Sequence, residues 1–159
     1  MKKYISLILA AVMALSLTAC GGDKEEFADF SVQELMDEML QQVTVDDPLI
    51  LTEGDMLDFF GIQADTMEEF AAITCANGIS AQEIVLVKAV DDVKALTVME
   101  QLEKRMDARA AEAENYLPDE YAIIKECEVR NHGVYVAMII HPEHEMLEEL
   151  YMDHVIGAK

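Results

Sequence analysis

An apolar run near the start of this chain decides how much of it is free to fold. Lys2 and Lys3 form a short positive segment. Tyr4 to Leu17 follows, carrying Ile5, Leu7, Ile8, Leu9, Val12, Met13 and Leu15. A membrane-spanning helix needs about 20 apolar residues, so this run instead suits the core of a signal peptide, usually ~7–15 residues. It closes on Leu17-Thr18-Ala19-Cys20, with Gly21 and Gly22 beyond. Small residues at that point suit a peptidase cut between Ala19 and Cys20.

The order of charge, apolar core, small residues and cysteine resembles the bacterial lipobox. In that pattern the cysteine becomes the new N-terminus and its thiol takes up diacylglycerol; two acyl chains anchor stably where one is marginal. The expectation is a lipoprotein, lipidated on Cys20 at the outer face of the cytoplasmic membrane. Residues 1–19 would be removed and 20–29 would form a flexible tether. Residues 30–159 would fold as a single domain.

Charge narrows the partners. The 159 residues carry 11 basic and 32 acidic side chains, a net charge of −21. Losing residues 1–19 removes two Lys and no acid, so 9 basic residues face 32 acidic ones, a balance of −23. Such a chain repels nucleic acid and anionic headgroups. Basic peptides, an envelope protein or cations are compatible partners, although an acidic excess is more often a solvated surface. Cys75 and Cys127 both fall in segments that read as strands; a disulfide between them is sterically possible in an exported chain, and two buried free thiols are the expectation.

Periodicity sets the elements. Ser31 and Glu34 are spaced as a capping box, with Phe30 and Leu35 as its hydrophobic staple. Val32, Leu35, Met36, Met39, Leu40 and Val43 then mark one helical face. A shorter helix runs from Thr52 to Phe60 and stops at Gly61. Phe70 to Ala76 and Glu83 to Lys88 flank Asn77-Gly78 and read as a hairpin. A long helix covers about Val93 to Asn115, with Leu96, Met99, Leu102, Met106, Ala110 and Ala113 inward. Tyr121 to Val129 reads as a third strand, Asn131-His132-Gly133 as a turn, and Val134 to Ile140 as a fourth strand. Pro142 opens a last helix with Met146, Leu147, Leu150 and Val155 inward. The expected fold is α+β: a four-stranded antiparallel sheet with helices packed mainly on one face, preceded by an N-terminal helix pair.

Asp58-Phe59-Phe60-Gly61-Ile62 with Glu68-Glu69-Phe70, then Ala81-Gln82-Glu83-Ile84-Val85-Leu86-Val87-Lys88, come in a characteristic order. Tyr116-Leu117-Pro118-Asp119-Glu120 and Gly133-Val134-Tyr135-Val136 complete it. Together they resemble a domain of unknown function found in small lipoproteins of Gram-positive, largely clostridial, bacteria. The resemblance spans roughly Leu51 to Val155. It implies a lipid anchor and carries over no catalytic residue.

Candidate chemistry is sparse. His144 and Glu148 lie at i,i+4, and His141 can reach from the preceding loop, a conceivable zinc set. The spacing is not that of His-Glu-x-x-His, and a solvated helix start explains it better, so no metal ligand is assigned. His132 reads as a turn residue and His154 as a helix-end residue. Glu83 and Glu120 have no evident reason to meet. Nucleophile motifs, phosphate loops and calcium loops are absent, and the methionines read as core filling. These features favour a non-catalytic binding or interaction domain needing no cofactor. A cation-handling lipoprotein and an enzyme with an unrecognised site are the alternatives.

Overall fold

The computed structural model describes residues 27–157; the leader, Cys20 and the first part of the tether lie outside the described residues. In chain order the elements are α1 (Val32–Gln42), β1 (Pro48–Ile50), α2 (Glu53–Phe60), β2 (Met67–Cys75) and β3 (Glu83–Ala89). They continue with α3 (Asp92–Ala113), α4 (Pro118–Glu126), β4 (Val129–His132), β5 (Tyr135–Ile140) and α5 (His144–Ile156). The strands form one sheet in the order β1-β2-β3-β5-β4, with every neighbouring pair antiparallel.

The sheet therefore has five strands, not four. Two three- or four-residue strands, β1 and β4, sit at its edges. Pro48 can open β1 because an edge strand need not donate from every residue. The expected third strand is a helix instead: Pro118 sits in its first turn, Asp119 and Glu120 follow, and Lys125 lies in the last turn. Those charges suit the helix dipole. β4 occupies the stretch expected to be a turn, and the true loop is Gly133-Val134 between His132 and Tyr135. Gly133 adopts φ 57°, and a Cβ there would lie 2.8 Å from the Phe27 ring.

Helices cover both faces of the sheet rather than one. Side chains alternate along each strand, so β3 sends Ile84 and Leu86 one way and Val85 and Val87 the other, all fully buried. The first face, with Ala71, Ile73, Ala137 and Ile139, packs against α1 and α5 through Leu35, Met39, Leu147, Tyr151 and Val155. The second, with Ala72, Val136, Met138 and Ile140, packs against α2, α3 and α4 through Met56, Phe60, Leu102 and Ile124. The expected N-terminal helix pair is accordingly not a pair. α1 and α2 are separated by β1 and join opposite cores.

Local capping explains where the helices begin. Thr52 and Asp55 complete a reciprocal capping box on α2. At α1 the Ser31 hydroxyl accepts from the Glu34 N–H, but the second half of the box comes from the sheet. Glu69 of β2 accepts from the Ser31 hydroxyl and from the N–H groups of Val32 and Gln33. Residues just before α1 are also tied down. Ala28 N–H donates to Val155 O at 2.9 Å, Asp29 pairs with Lys88, and Phe30 stacks on Tyr135 at 4.1 Å.

Cys75 and Cys127 are buried and free. Cys75 ends β2, but Cys127 caps the C-terminus of α4 rather than lying in a strand. They belong to the cores on opposite faces of the sheet. Burial pushes the Cys127 thiol up to about 11, and the thiol donates to Ile123 O. At pH 8 only on the order of one molecule in a thousand then carries the reactive thiolate. Iodoacetamide is expected to modify Cys127 at least about 100-fold more slowly in the native protein than in urea, read by peptide mass spectrometry. Equal rates would show the thiol to be open to solvent.

Candidate functional site

The long helix α3 carries the side chains that matter: Leu102 and Ala113 are buried and Met99, Met106 and Ala110 pack on the same core as expected, but its inner face begins elsewhere and holds more than the expected stripe. Ala95, Val98, Leu102 and Ala113 are inward, whereas Leu96 is half exposed. Continuing that stripe at three- and four-residue steps brings Arg105 and Arg109 onto the inner face. There they meet Glu83, the first residue of β3, whose side chain is 0% exposed. Arg105 holds the carboxylate with both Nε and Nη2 at 3.1–3.2 Å. Arg109 Nε lies 3.9 Å from the other side of the same group. Burial pushes Glu83 up from the ordinary glutamate range, and the two guanidiniums pull it back only in part.

Aromatic and backbone groups fix the arginines in place. The Arg105 guanidinium lies 5.7 Å and 5.6 Å from the ring centroids of Phe59 and Phe60, within cation–π range. Arg109 donates to Ser80 O at 3.0 Å and pairs with the exposed Glu112 at 3.1 Å. Its Nε is buried and makes no hydrogen bond among the described residues. Glu120, at the start of α4, accepts from the Ala81 N–H at 2.6 Å. Three stretches that carry the sequence resemblance, around Phe59-Phe60, Ala81–Glu83 and Pro118–Glu120, thus converge at one corner of the sheet. Glu83 and Glu120 have different partners and do not act as a carboxylate pair.

Beside the arginines is a cavity of about 330 Å³, lined by Leu49, Phe59, Thr74, Cys75, Ala76, Gly78, Arg105 and Arg109. Leu49 and Phe59 are about two-fifths exposed, so the cavity joins apolar walls to two guanidiniums. Nothing in the sequence reading pointed to it. The one available signal was the phase of α3: starting the stripe at Ala95 and Val98 puts two arginines on a buried face, which then requires a buried acid.

The histidine cluster comes apart. His141 is buried and both ring nitrogens are engaged: Nδ1 accepts from the Glu143 N–H at 3.0 Å, which leaves Nε2 to donate to Thr44 O at 3.3 Å. His144 lies 3.5 Å from Glu148 and 3.9 Å from Glu126. Glu148 also accepts from Arg130 at 2.9 Å, and Arg130 pairs with Glu128. The cluster is therefore a polar chain in which the Arg130–Glu148 ion pair ties β4 to α5, with a guanidinium on the carboxylate that a metal would need. Among the described residues no group of three or more His, Cys, Asp or Glu stands close enough to hold a metal ion. His132 contacts the Tyr151 hydroxyl, and His154 contacts Leu150 O and Glu38. Among the described residues no helix is long and apolar enough to cross a membrane.

A family model described as "Domain of unknown function (DUF4358)" matches residues 41–141. That span holds all five strands and every residue of the Glu83 centre, and ends before α5. No curated protein and no solved structure matches the chain.

Proposed function

Because this chain belongs to the DUF4358 family, a domain of unknown function, we propose its role from its own residues: a lipid-anchored, extracytoplasmic binding module without catalytic chemistry. The observation that carries the anchor is the ordered run of Lys2-Lys3, Tyr4 to Leu17 and Leu17-Thr18-Ala19-Cys20. Support for a binding role comes from the cavity beside Arg105 and Arg109. Its two arginines are held in ion pairs, and the lining places no His, Asp or Glu beside the Cys75 thiol to act as a base. A lipid on Cys20 would hold the body close to the bilayer, because the chain from Cys20 to the docked Phe27 can reach at most ~25 Å. The acidic surface then keeps that body off anionic headgroups.

Labelled palmitate fed to a Gram-positive host expressing the full chain tests the anchor. The wild type is expected to carry label and to sediment with membranes, and Cys20→Ala to do neither. Label on the Cys20→Ala protein, or an unlabelled wild type released into the medium, would refute lipidation at this residue. The cation-handling alternative gains nothing from His141, His144 and Glu148, whose donors are spent on protein partners.

A further inference from the structure

We infer that the cavity between β1, the β2–β3 turn and α3 is a binding site for a small organic carboxylate: its head pairs with Arg105 and Arg109, and its apolar part lies between Leu49 and Phe59. Two guanidiniums share one buried carboxylate here, leaving positive charge that among the described residues is offset by Glu112. Glu112 is 64% exposed, and a solvent-exposed pair of that kind contributes little. At Lys88 and Arg130 the balance runs the other way: Lys88 faces Asp29 and Glu68, and Arg130 faces Glu128 and Glu148. The arginine pair thus sets two cations side by side on one cavity wall in a chain of net charge −21. Arg109 Nε is buried against Glu83, and its two terminal nitrogens each spend one N–H, on Glu112 and on Ser80 O, and keep one. Arg105 bonds through Nε and Nη2, and its Nη1 makes no hydrogen bond among the described residues.

The chemistry of the ligand follows from charge, shape and size. A monoanion matches the residual charge, and the planar guanidinium fork matches a carboxylate. A phosphate dianion would overshoot that charge within a strongly acidic molecule. Leu49, Phe59 and Ala76 give apolar walls, and Thr74 and Cys75 bring only neutral groups, so the rest of the ligand is uncharged and mainly apolar. At about 330 Å³ the cavity is at the small end of ligand pockets, which run ~300–1,000 Å³. That suits a free short-chain or aryl acid better than the carboxyl terminus of a polypeptide, which must bring its backbone along. The inference gives the proposed binding module its ligand class. Anchoring at Cys20 plays no part in it, so this experiment and the palmitate experiment fail independently.

Calorimetric titration of the full chain in detergent micelles decides it, with hexanoate, phenylacetate, their amides, inorganic phosphate and N-acetyl-Ala-Leu as probes. The two acids are expected to bind at least about tenfold more tightly than their amides, phosphate or the peptide. Arg109→Gln is expected to lower that affinity about tenfold or more. Because an arginine variant can disturb folding, Ala76→Phe provides the second arm: Ala76 is exposed at the cavity wall, so the ring fills the space and leaves both arginines intact. It too should abolish binding while circular dichroism stays native. Amides or phosphate binding as well as the acids, no heat up to 10 mM acid (about the weakest binding worth the name), or undiminished binding to Ala76→Phe would each overturn the inference. The peptide binding more tightly than the acids would overturn the free-acid assignment.

Discussion

Glu83→Ala is expected to lower the folding free energy by about 3–5 kcal/mol, the usual cost of removing one partner from a buried ion pair. Glu83 is fully buried, and Arg105 and Arg109 are each less than one-fifth exposed. Deleting the carboxylate leaves two mostly buried guanidiniums between β3 and α3, with the exposed Glu112 as their remaining acid among the described residues. The attraction itself is not the main quantity, because burying the three charges costs several kcal/mol per ion. A double variant, Glu83→Leu with Arg105→Leu, is therefore expected to be less damaged than Glu83→Ala alone. Urea denaturation followed by circular dichroism gives both numbers. A Glu83→Ala protein within 1 kcal/mol of wild type would mean that the guanidiniums rehydrate freely and that the centre does not hold α3 to the sheet.

The same residue has a pH signature. Its native value is raised above the ordinary 4.5, chiefly because burial disfavours the charged form. Protonation is then easier in the folded than in the unfolded protein. The group's contribution to stability is fully present below 4.5 and declines as pH rises through the raised native value. Glu83→Gln cannot titrate, so the wild-type advantage over it should shrink across the window just above pH 4.5.

Elements with strong local periodicity were legible in the sequence. α1, α2, β3 and β5 lie within a few residues of their expected spans, because caps, apolar faces and β-branched runs all agree there. What failed had competing local signals. Tyr121 to Val129 alternates enough to resemble a strand, yet Pro118, Asp119, Glu120 and Lys125 are helix-terminus signals, and packing of Ile124 on α3 decides for the helix. β1 and β4 are too short to show any period; they exist through pairing with β2 and β5. The stripe of α3 was misjudged only at its start, where Leu96 weighs more on a hydropathy scale than Ala95; Met99, Leu102, Met106, Ala110 and Ala113 do face the core. Ala95 is fully buried, and overlooking it concealed Arg105 and Arg109. The His141–Glu148 spacing was read correctly as helical; only the partners outside the helix, Thr44 and Arg130, show that the cluster is structural.

Residues 41–141, the span that matches the family, are expected not to fold by themselves. The central strands are apolar on both faces: Ile84, Val85, Leu86 and Val87 are each 0% exposed, and β5 is buried along its whole length. One face is covered within the span by α2, α3 and α4. The other depends on α1, which lies almost wholly before residue 41, and on α5, which starts at His144. Without them Ile73, Ile84, Leu86, Ala137 and Ile139 face water. Exposing even four such side chains at ~1.5–3 kcal/mol each forfeits about 6–12 kcal/mol, comparable to the whole ~5–15 kcal/mol margin of a domain. The uncovered sheet would also present a large apolar patch, which promotes aggregation. Residues 27–157 are expected to give a dispersed amide NMR spectrum, and residues 41–141 a collapsed spectrum or precipitate. A monomeric, well-dispersed 41–141 would show that the second core is dispensable and that α1 and α5 are additions to a self-sufficient half.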